Sequence, residues 1–378
     1  MLIIDKLGYE DNQVHGGGRV VLDWVRGLLQ IGVDAHCLVL RSRGRGHGTP
    51  EAELEQSEVN YLGRGRFEPA VFTDLVQLIR ARGIQIVHLH SFASGIFGRL
   101  ASRWCGIPAV VHSHEDLRVE RVHYRRWMGV LDAGVAPLTT LCLAASTAAA
   151  RSAVEVQHIA ADRVRVLENP VDLGRFTQPD RQTVDRRKLE LGVPSGAPTV
   201  VCIARLFPVK GVDLLVTAWK EVVRAVPAAH LLIAGNGPMR GAIEESTRAA
   251  GLGTSVHFLG FHPHVEQVLQ AGDLAVIPSR AEGFSLTALE AMATGLPVVA
   301  FGVGGLAEVV RDGRSGVLVA AGNTDGLAAA MVALLRDPER RRAFSEAGAA
   351  LASAYGLPAS VAQLKKEYEW AIQTAARR

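Results

Sequence analysis

The chain has little of what would place it outside the ordinary globular class. No apolar run approaches the ~18 residues that a membrane-crossing helix needs. The most apolar stretch, Leu296–Ala307, is broken by Pro297, Gly302, Gly304 and Gly305. Cysteine is scarce: Cys37, Cys105, Cys142 and Cys202 lie singly in apolar segments, and none belongs to a Cys-x-x-Cys pair. That excludes a disulfide framework and a zinc ribbon, and predicts reduced core thiols. Neither sign of charge dominates. With 41 Lys and Arg against 38 Asp and Glu the net charge is +3, too little to suggest nucleic acid as a partner. No Asp-x-Asp occurs, which argues against a metal-bridged diphosphate. Met1–Asp5 reads directly as a strand, with no charged leader or cleavage site before it, which predicts a cytoplasmic protein.

What is present is enough chain and enough apolar residue for two cores. The 378 residues are 48% hydrophobic, and domains usually hold ~150 residues. Short Val/Ile/Leu runs alternate with helical patterns. In the first half the strand candidates are Leu2–Asp5, Ala35–Leu40, Ile86–His90, Ala109–His112, Thr140–Ala144 and Val164–Leu167. The pattern restarts with Thr199–Ile203, His230–Ala234, Val256–Leu259, Leu274–Ile277, Val298–Ala300 and Gly316–Val319. Near-continuous apolar strands separated by helices are the mark of parallel sheets covered on both faces. The expectation is α/β: two doubly wound domains, 1–172 and 199–357, with a charged, Pro-bearing linker at 173–198 and a helical tail at 358–378. Ligands of such sheets lie outside the carboxyl ends of the strands, so a cleft where both sets of ends face each other is the natural site.

The segment Glu282-Gly-Phe-Ser-Leu-Thr-Ala-Leu-Glu290 concentrates the chemistry. Glu282 falls in the loop beyond the strand 274–277, and Glu290 more than a turn inside the following helix. Ser285 can cap that helix, whose first amides and dipole favour an anion. Carboxylates accept hydroxyl donors in pairs. Two of them flanking a phosphate-friendly helix start suit a ligand with a diphosphate in the middle and hydroxyls at both ends, such as a nucleotide-sugar. A solvated loop Glu and a surface helix Glu would look the same in isolation. Arg205 and Lys210 flank the loop after the strand 199–203, where two cations suit a departing diphosphate. Gly16-Gly17-Gly18 lies between the first strand and its helix. It lets backbone approach a phosphate, but its spacing is not that of a dinucleotide-binding fingerprint. Gly235-Asn236-Gly-Pro is a turn that can also reach a nucleotide. In His112-Ser-His114 two histidines stand two residues apart at a strand end. They fit a sugar contact, a proton relay or a metal pair, although no third ligand stands near in sequence.

Taken together and in this order, these motifs resemble the retaining GT-B glycosyltransferases of family 4 over essentially the whole chain. The stretch Val110-Val-His-Ser-His114 is similar to the members that build exopolysaccharides and capsules. The resemblance implies a GT-B fold, with two Rossmann-like domains facing across a cleft and the tail helix crossing back to the first. It implies that Glu282 holds donor-sugar hydroxyls, that Gly283, Phe284, Ser285 and Leu286 line the donor with backbone amides, and that Glu290 binds the ribose diol. Arg205 and Lys210 would neutralise the diphosphate, Gly17 and Gly18 approach it from the first domain, and Gly235 and Asn236 border the nucleotide. His114 matches the active-site histidine, although Glu115 stands where the family has Asp.

The implied reaction is metal-independent, cofactor-free transfer of a hexose or N-acetylhexosamine with retention, UDP-sugar being the favoured donor and GDP-mannose the alternative. The acceptor is a glycan, lipid-linked or small-molecule hydroxyl. A nucleotide-sugar epimerase and a non-catalytic donor-binding partner subunit are the readings from other classes, and the intact motif set disfavours both. The segment Leu117–Leu131 mixes Arg118, Arg121 and Arg125 with Tyr124, Met128 and Leu131. As a helix it forms a basic amphipathic stripe suited to peripheral contact with an anionic inner membrane face. The simpler reading is a domain helix packed by its apolar side.

Overall fold

The computed structural model describes residues 1–5, 16–41, 59–65, 67–113 and 126–377. By contact the chain divides into two compact units, Met1–Pro170 with Leu357–Arg378, and Val171–Gly356. The segment expected as a linker, 173–198, therefore packs within the second unit.

The first unit is built on β1 (Leu2–Ile4), β2 (Cys37–Val39), β3 (Val59–Tyr61), β4 (Val87–Leu89), β5 (Ala109–Ser113), β6 (Leu141–Ala144) and β7 (Val164–Val166). Among the described residues these form one sheet in the order β3-β2-β1-β4-β5-β6-β7, and every pairing is parallel. The helices are α1 (Gly16–Gln30), α2 (Ala70–Ala81), α3 (Phe92–Cys105), α4 (Arg126–Val135), α5 (Thr147–Glu155) and, from the far end of the chain, a long tail helix at Leu357–Ala376. On one face Ile3, Val87, Leu89, Ala109 and Val111 meet Leu75 and Ile79 of α2. Alternation puts Leu2, His88 and Val110 on the other face, under Trp24 of α1. The tail helix closes this side: Trp24 Nε1 donates to Ser360 Oγ at 3.0 Å, and Arg165 bridges to Glu367 at 2.6 Å. Gly27 admits it, since a Cβ there would lie 2.4 Å from Val361 Cγ2.

The second unit repeats the plan. Its sheet, β8 (Thr199–Ile203), β9 (His230–Ala234), β10 (Val256–Gly260), β11 (Leu274–Ile277), β12 (Val298–Phe301) and β13 (Gly316–Val319), runs β10-β9-β8-β11-β12-β13, all parallel. The helices are α6 (Arg181–Glu190), α7 (Val212–Ala225), α8 (Arg240–Ala249), α9 (Val265–Gln270), α10 (Leu286–Ala293), α11 (Leu306–Val309), α12 (Thr324–Arg336) and α13 (Pro338–Ser353), which makes the tail helix α14. The core gathers Val200, Leu231, Ile233, Val276 and Val299 around Trp219, whose Nε1 donates to Ser255 Oγ at 3.1 Å. Highly charged α6 is no spacer, because Lys188 is buried with its ammonium 2.9 Å from Asp273 Oδ2 and from the Ala197 carbonyl. The unit begins and ends at one place, where Val171 N donates to Tyr355 O at 2.9 Å.

All six strands expected in the first half are present within a residue or two, and all six of the second set. The addition is β3, a sheet-edge strand of three residues in which only Val59 is fully buried. So short a strand with one covered side chain has no periodicity to read. Cys37, Cys142 and Cys202 are buried, all four cysteines are free thiols, and burial pushes Cys142 and Cys202 up to about 12. Among the described residues no helix is long and apolar enough to cross a membrane.

His230 and His257, side by side on β9 and β10, have ring nitrogens 2.9 Å apart, and burial lowers both pKa values below the ordinary value of about 6.5. His230 lowers His257 further. The unfolded chain therefore takes up more protons in the window below about pH 6.5, and native stability should fall there as pH falls. Urea midpoints between about pH 7 and pH 5 should drop less in His257→Gln than in the parent; equal drops would remove the pair as the cause.

Candidate functional site

The second unit's strand order reverses between β8 and β11, and the loops leaving the carboxyl ends of these strands hold most of the expected site residues. After β8 comes Arg205, half-buried, its guanidinium 5.2 Å from the Phe207 ring. A single 3₁₀ turn, Pro208–Lys210, follows, and Gly211 in the left-handed region (φ 64°) turns the chain into α7. A Cβ on Gly211 would lie 1.9 Å from the Pro278 carbonyl, so only glycine lets this loop touch the one after β11.

The two loops are clamped. Arg280 receives Asp213 as a two-pronged pair (Nη1–Oδ1 2.8 Å, Nη2–Oδ2 2.6 Å), its Nη1 also donates to Pro208 O, and its amide donates to Val209 O at 2.8 Å. The Arg280 hydrogen bonds hold the Asp213 carboxyl below the usual range. The clamp brings Lys210 to Glu282: Nζ and Oε1 are 2.7 Å apart, and Ser279 Oγ donates to the same oxygen at 2.8 Å. Glu282 is only 8% exposed and Ser279 is 1% exposed. The Glu282 carbonyl accepts from Gly305 N at 2.9 Å, and Gly304 (φ 48°) passes so close that a Cβ would lie 2.1 Å from that carbonyl oxygen.

Three residues on, the Ser285 side chain accepts from Ala288 N and caps α10. Gly283, Phe284 and Ser285 are buried, Leu286 opens the helix, and Glu290 is half-buried on it. Beyond β9, Gly235 (φ 145°) crosses the Ala204 carbonyl, where a Cβ would stand 1.8 Å away, and Leu206 N donates to Asn236 O. The Asn236 side chain is exposed and accepts from Gly237 N. Lys210, Glu282 and the capped helix are thus assembled at one strand-end locus, with the Gly235–Asn236 turn fixed to the same β8 loop.

The remaining candidates belong to the first unit. Gly17 and Gly18 form the first turn of α1. His114 lies outside the described residues, as do residues 117–125 with the arginines of the basic stripe. Of that segment's described part, Met128 is buried while Trp127, Val130 and Leu131 are exposed, so Leu131 does not share the core face with Met128. Ser279, the Arg280–Asp213 clamp and the Gly304–Gly305 backbone belong to the site without forming part of any of the sequence motifs. Ser279 had one signal, its place three residues before Glu282. The clamp had none, because Asp213 and Arg280 are 67 residues apart.

Comparison with known proteins covers both units. The family described as "Glycosyl transferases group 1" matches residues 184–351, and "Glycosyltransferase Family 4" matches residues 14–175. The D-inositol 3-phosphate glycosyltransferase of Thermomonospora curvata is 33% identical over 364 residues, 86% of this chain and 84% of that protein. The protein of the same name from Segniliparus rotundus is 33% identical over 77% of this chain and 67% of its own length. Among solved structures, Anabaena Alr3699/HepE in complex with UDP and glucose superposes with a TM-score of 0.81 at 22% identity, covering 97% of this chain and 98% of that one. Sucrose-phosphate synthase of Thermosynechococcus elongatus gives 0.81 at 21%, over 98% of each chain.

Ser279→Ala removes one donor from a nearly buried carboxylate. It should lower unfolding stability by about 1–2 kcal/mol. Denaturant unfolding of the full chain checks this, and an unchanged midpoint would show that Lys210 alone suffices.

Proposed function

The chain belongs to glycosyltransferase family 4 and has the GT-B fold, and from that premise we propose that it transfers a hexose or N-acetylhexosamine from a UDP-sugar, with retention, needing neither metal nor cofactor. The observation that carries the reading is the Lys210–Glu282–Ser279 cluster, set beside the capped start of α10 at the carboxyl ends of β8 and β11.

An ammonium has three donors. With one on Glu282, Lys210 has others for phosphate oxygens, and Arg205 on the same loop adds a second cation. Glu282 retains acceptor capacity for sugar hydroxyls, with Gly283, Phe284, Ser285 and Leu286 beside it, and Glu290 lies along α10 for a ribose diol. In the reaction the bond from the anomeric carbon to the diphosphate oxygen breaks as the acceptor oxygen bonds to the same face of that carbon. The acceptor's proton passes to the leaving oxygen. The transition state resembles an oxocarbenium ion, and the charge growing on the diphosphate is what Arg205 and Lys210 stabilise. His114 is assigned to the donor sugar, and Gly17 and Gly18 to the phosphate or acceptor.

The acceptor is a hydroxyl of a glycan, a lipid-linked glycan or a small molecule. The name shared by the relatives, D-inositol 3-phosphate glycosyltransferase, makes a phosphorylated polyol the first small molecule to test. GDP-mannose remains the second donor reading. Peripheral association with the inner membrane face through 117–131 belongs to the lipid-linked case alone.

A ligand that binds only the native state raises apparent stability by RT ln(1 + [L]/Kd). UDP in the presence of EDTA should raise Tm more than GDP or ADP does. A larger shift with GDP would transfer the proposal to GDP-mannose, and a shift abolished by EDTA would overturn metal independence. Lys210→Ala should lower kcat roughly 100-fold with a much smaller change in KM. Equal losses in both would reduce Lys210 to ground-state binding.

A further inference from the structure

Three histidines of the first unit lie together beneath α1 and α14. His88 is on β4, His90 follows at the same strand's end two residues on, and His112 is on β5. The parallel register pairs His88 with Val110 and Leu89 with Val111, so its next step sets His90 beside His112. Residues two apart on a strand share a face, and all three imidazoles therefore point to the same side. Their ring centroids are 4.1 Å (88–90), 5.4 Å (88–112) and 5.4 Å (90–112) apart, and one nitrogen from each ring lies within 4.8 Å of the others. All three residues are buried, at 1%, 6% and 5% exposure. The neighbouring positions of this face are apolar: Leu2 on β1, Val110 on β5, Leu141 and Leu143 on β6.

We propose that His88, His90 and His112 form a binding site for a single transition-metal dication of the zinc type, bracing β4 and β5 against α14. The donor set selects the metal. Among the described residues the group holds three imidazoles and no carboxylate, a set that suits zinc, copper or nickel and is a poor match for magnesium or calcium, which take oxygen. Zinc–nitrogen bonds of about 2.0–2.1 Å place ligand nitrogens roughly 3.3 Å apart in a tetrahedral shell, so modest ring rotations close the present spacing.

The surroundings supply what such a site needs. A metal-bound histidine commonly uses its second nitrogen on an outer hydrogen-bond partner that fixes its tautomer and orientation. His88 Nδ1 lies 2.8 Å from Tyr368 Oη of α14, so a proton on Nδ1 shared with the phenol turns the Nε2 lone pair toward the other rings. Trp24 packs over the set, its ring 5.7, 5.7 and 4.9 Å from the three imidazoles, and shields it from water. The alternative is an aromatic layer that packs without metal, and it makes different predictions. The proposal does not rest on the transferase reading, since the three histidines belong to the first unit and the Lys210–Glu282–Ser279 cluster that carries that reading belongs to the second.

The test uses the full chain, stripped with a chelator, equilibrated with micromolar zinc and passed through a desalting column. Elemental analysis should find about one retained equivalent, zinc should raise Tm, and cobalt in its place should give a visible ligand-field band. His90→Gln and His112→Gln should each weaken zinc retention at least tenfold, and Tyr368→Phe should weaken it severalfold. His257→Gln, which removes the other close histidine pair, should leave it unchanged. Should the buried variants fail to fold, the parent protein decides alone. A parent that retains no zinc and gives no cobalt band, or retention unaltered in His112→Gln, overturns the proposal in favour of the packed layer.

Discussion

Glu282 carries its carboxylate where water reaches little of it, and an ion in such a place costs several kcal/mol unless it is paired and hydrogen-bonded. The pairing comes from two different loops. Lys210 approaches from beyond β8, Ser279 from beyond β11, and both meet the same carboxylate oxygen. Much else in the second unit follows from holding these loops at one separation. The Arg280–Asp213 clamp fixes them by side chains and the Arg280–Val209 hydrogen bond by backbone. Gly211 and Gly304 stand where the two backbones of each contact leave no room for a Cβ. The glycines are the steric condition for the ion pair.

The two sheets share their order about the reversal point, β3-β2-β1-β4 in one and β10-β9-β8-β11 in the other, yet they use their strand ends differently. In the second unit the ends carry ions and glycine turns. In the first, the inner face near the ends of β4 and β5 is lined with imidazoles under Trp24. A common backbone plan supports both because the plan decides only which positions face which layer. The side chains at the strand ends decide the chemistry.

The fold was legible in the sequence because parallel strands covered on both faces leave unbroken apolar runs. Thr199–Ile203 and Leu274–Ile277 are readable to the residue for that reason. Sheet-edge β3 was not, since only Val59 is fully buried and three residues set no period. At the candidate site, Glu282, Lys210 and the Ser285 cap were visible because each lies in a short motif with local meaning. Asp213 with Arg280, and His88 with Tyr368 across 280 residues, are tertiary encounters between residues that look ordinary in their own segments. The charge of α6 suggested a solvated spacer. Burial of Lys188 against Asp273 shows how one long-range partner changes the meaning of a polar helix.

The second unit is continuous in sequence, and Val171 meets Tyr355 where it begins and ends, whereas the first unit is completed by the chain's last helix. During synthesis the order of completion is therefore the reverse of the order of translation. The first sheet emerges early but must wait, with the side of Trp24, His88 and Gly27 uncovered, until α14 has left the ribosome, while the second unit has its whole sequence sooner. The exposed interval lasts for more than 180 residues of elongation, roughly ten to forty seconds at 5–20 residues per second. The apolar surface left open during that interval is the side of the first unit that α14 later covers.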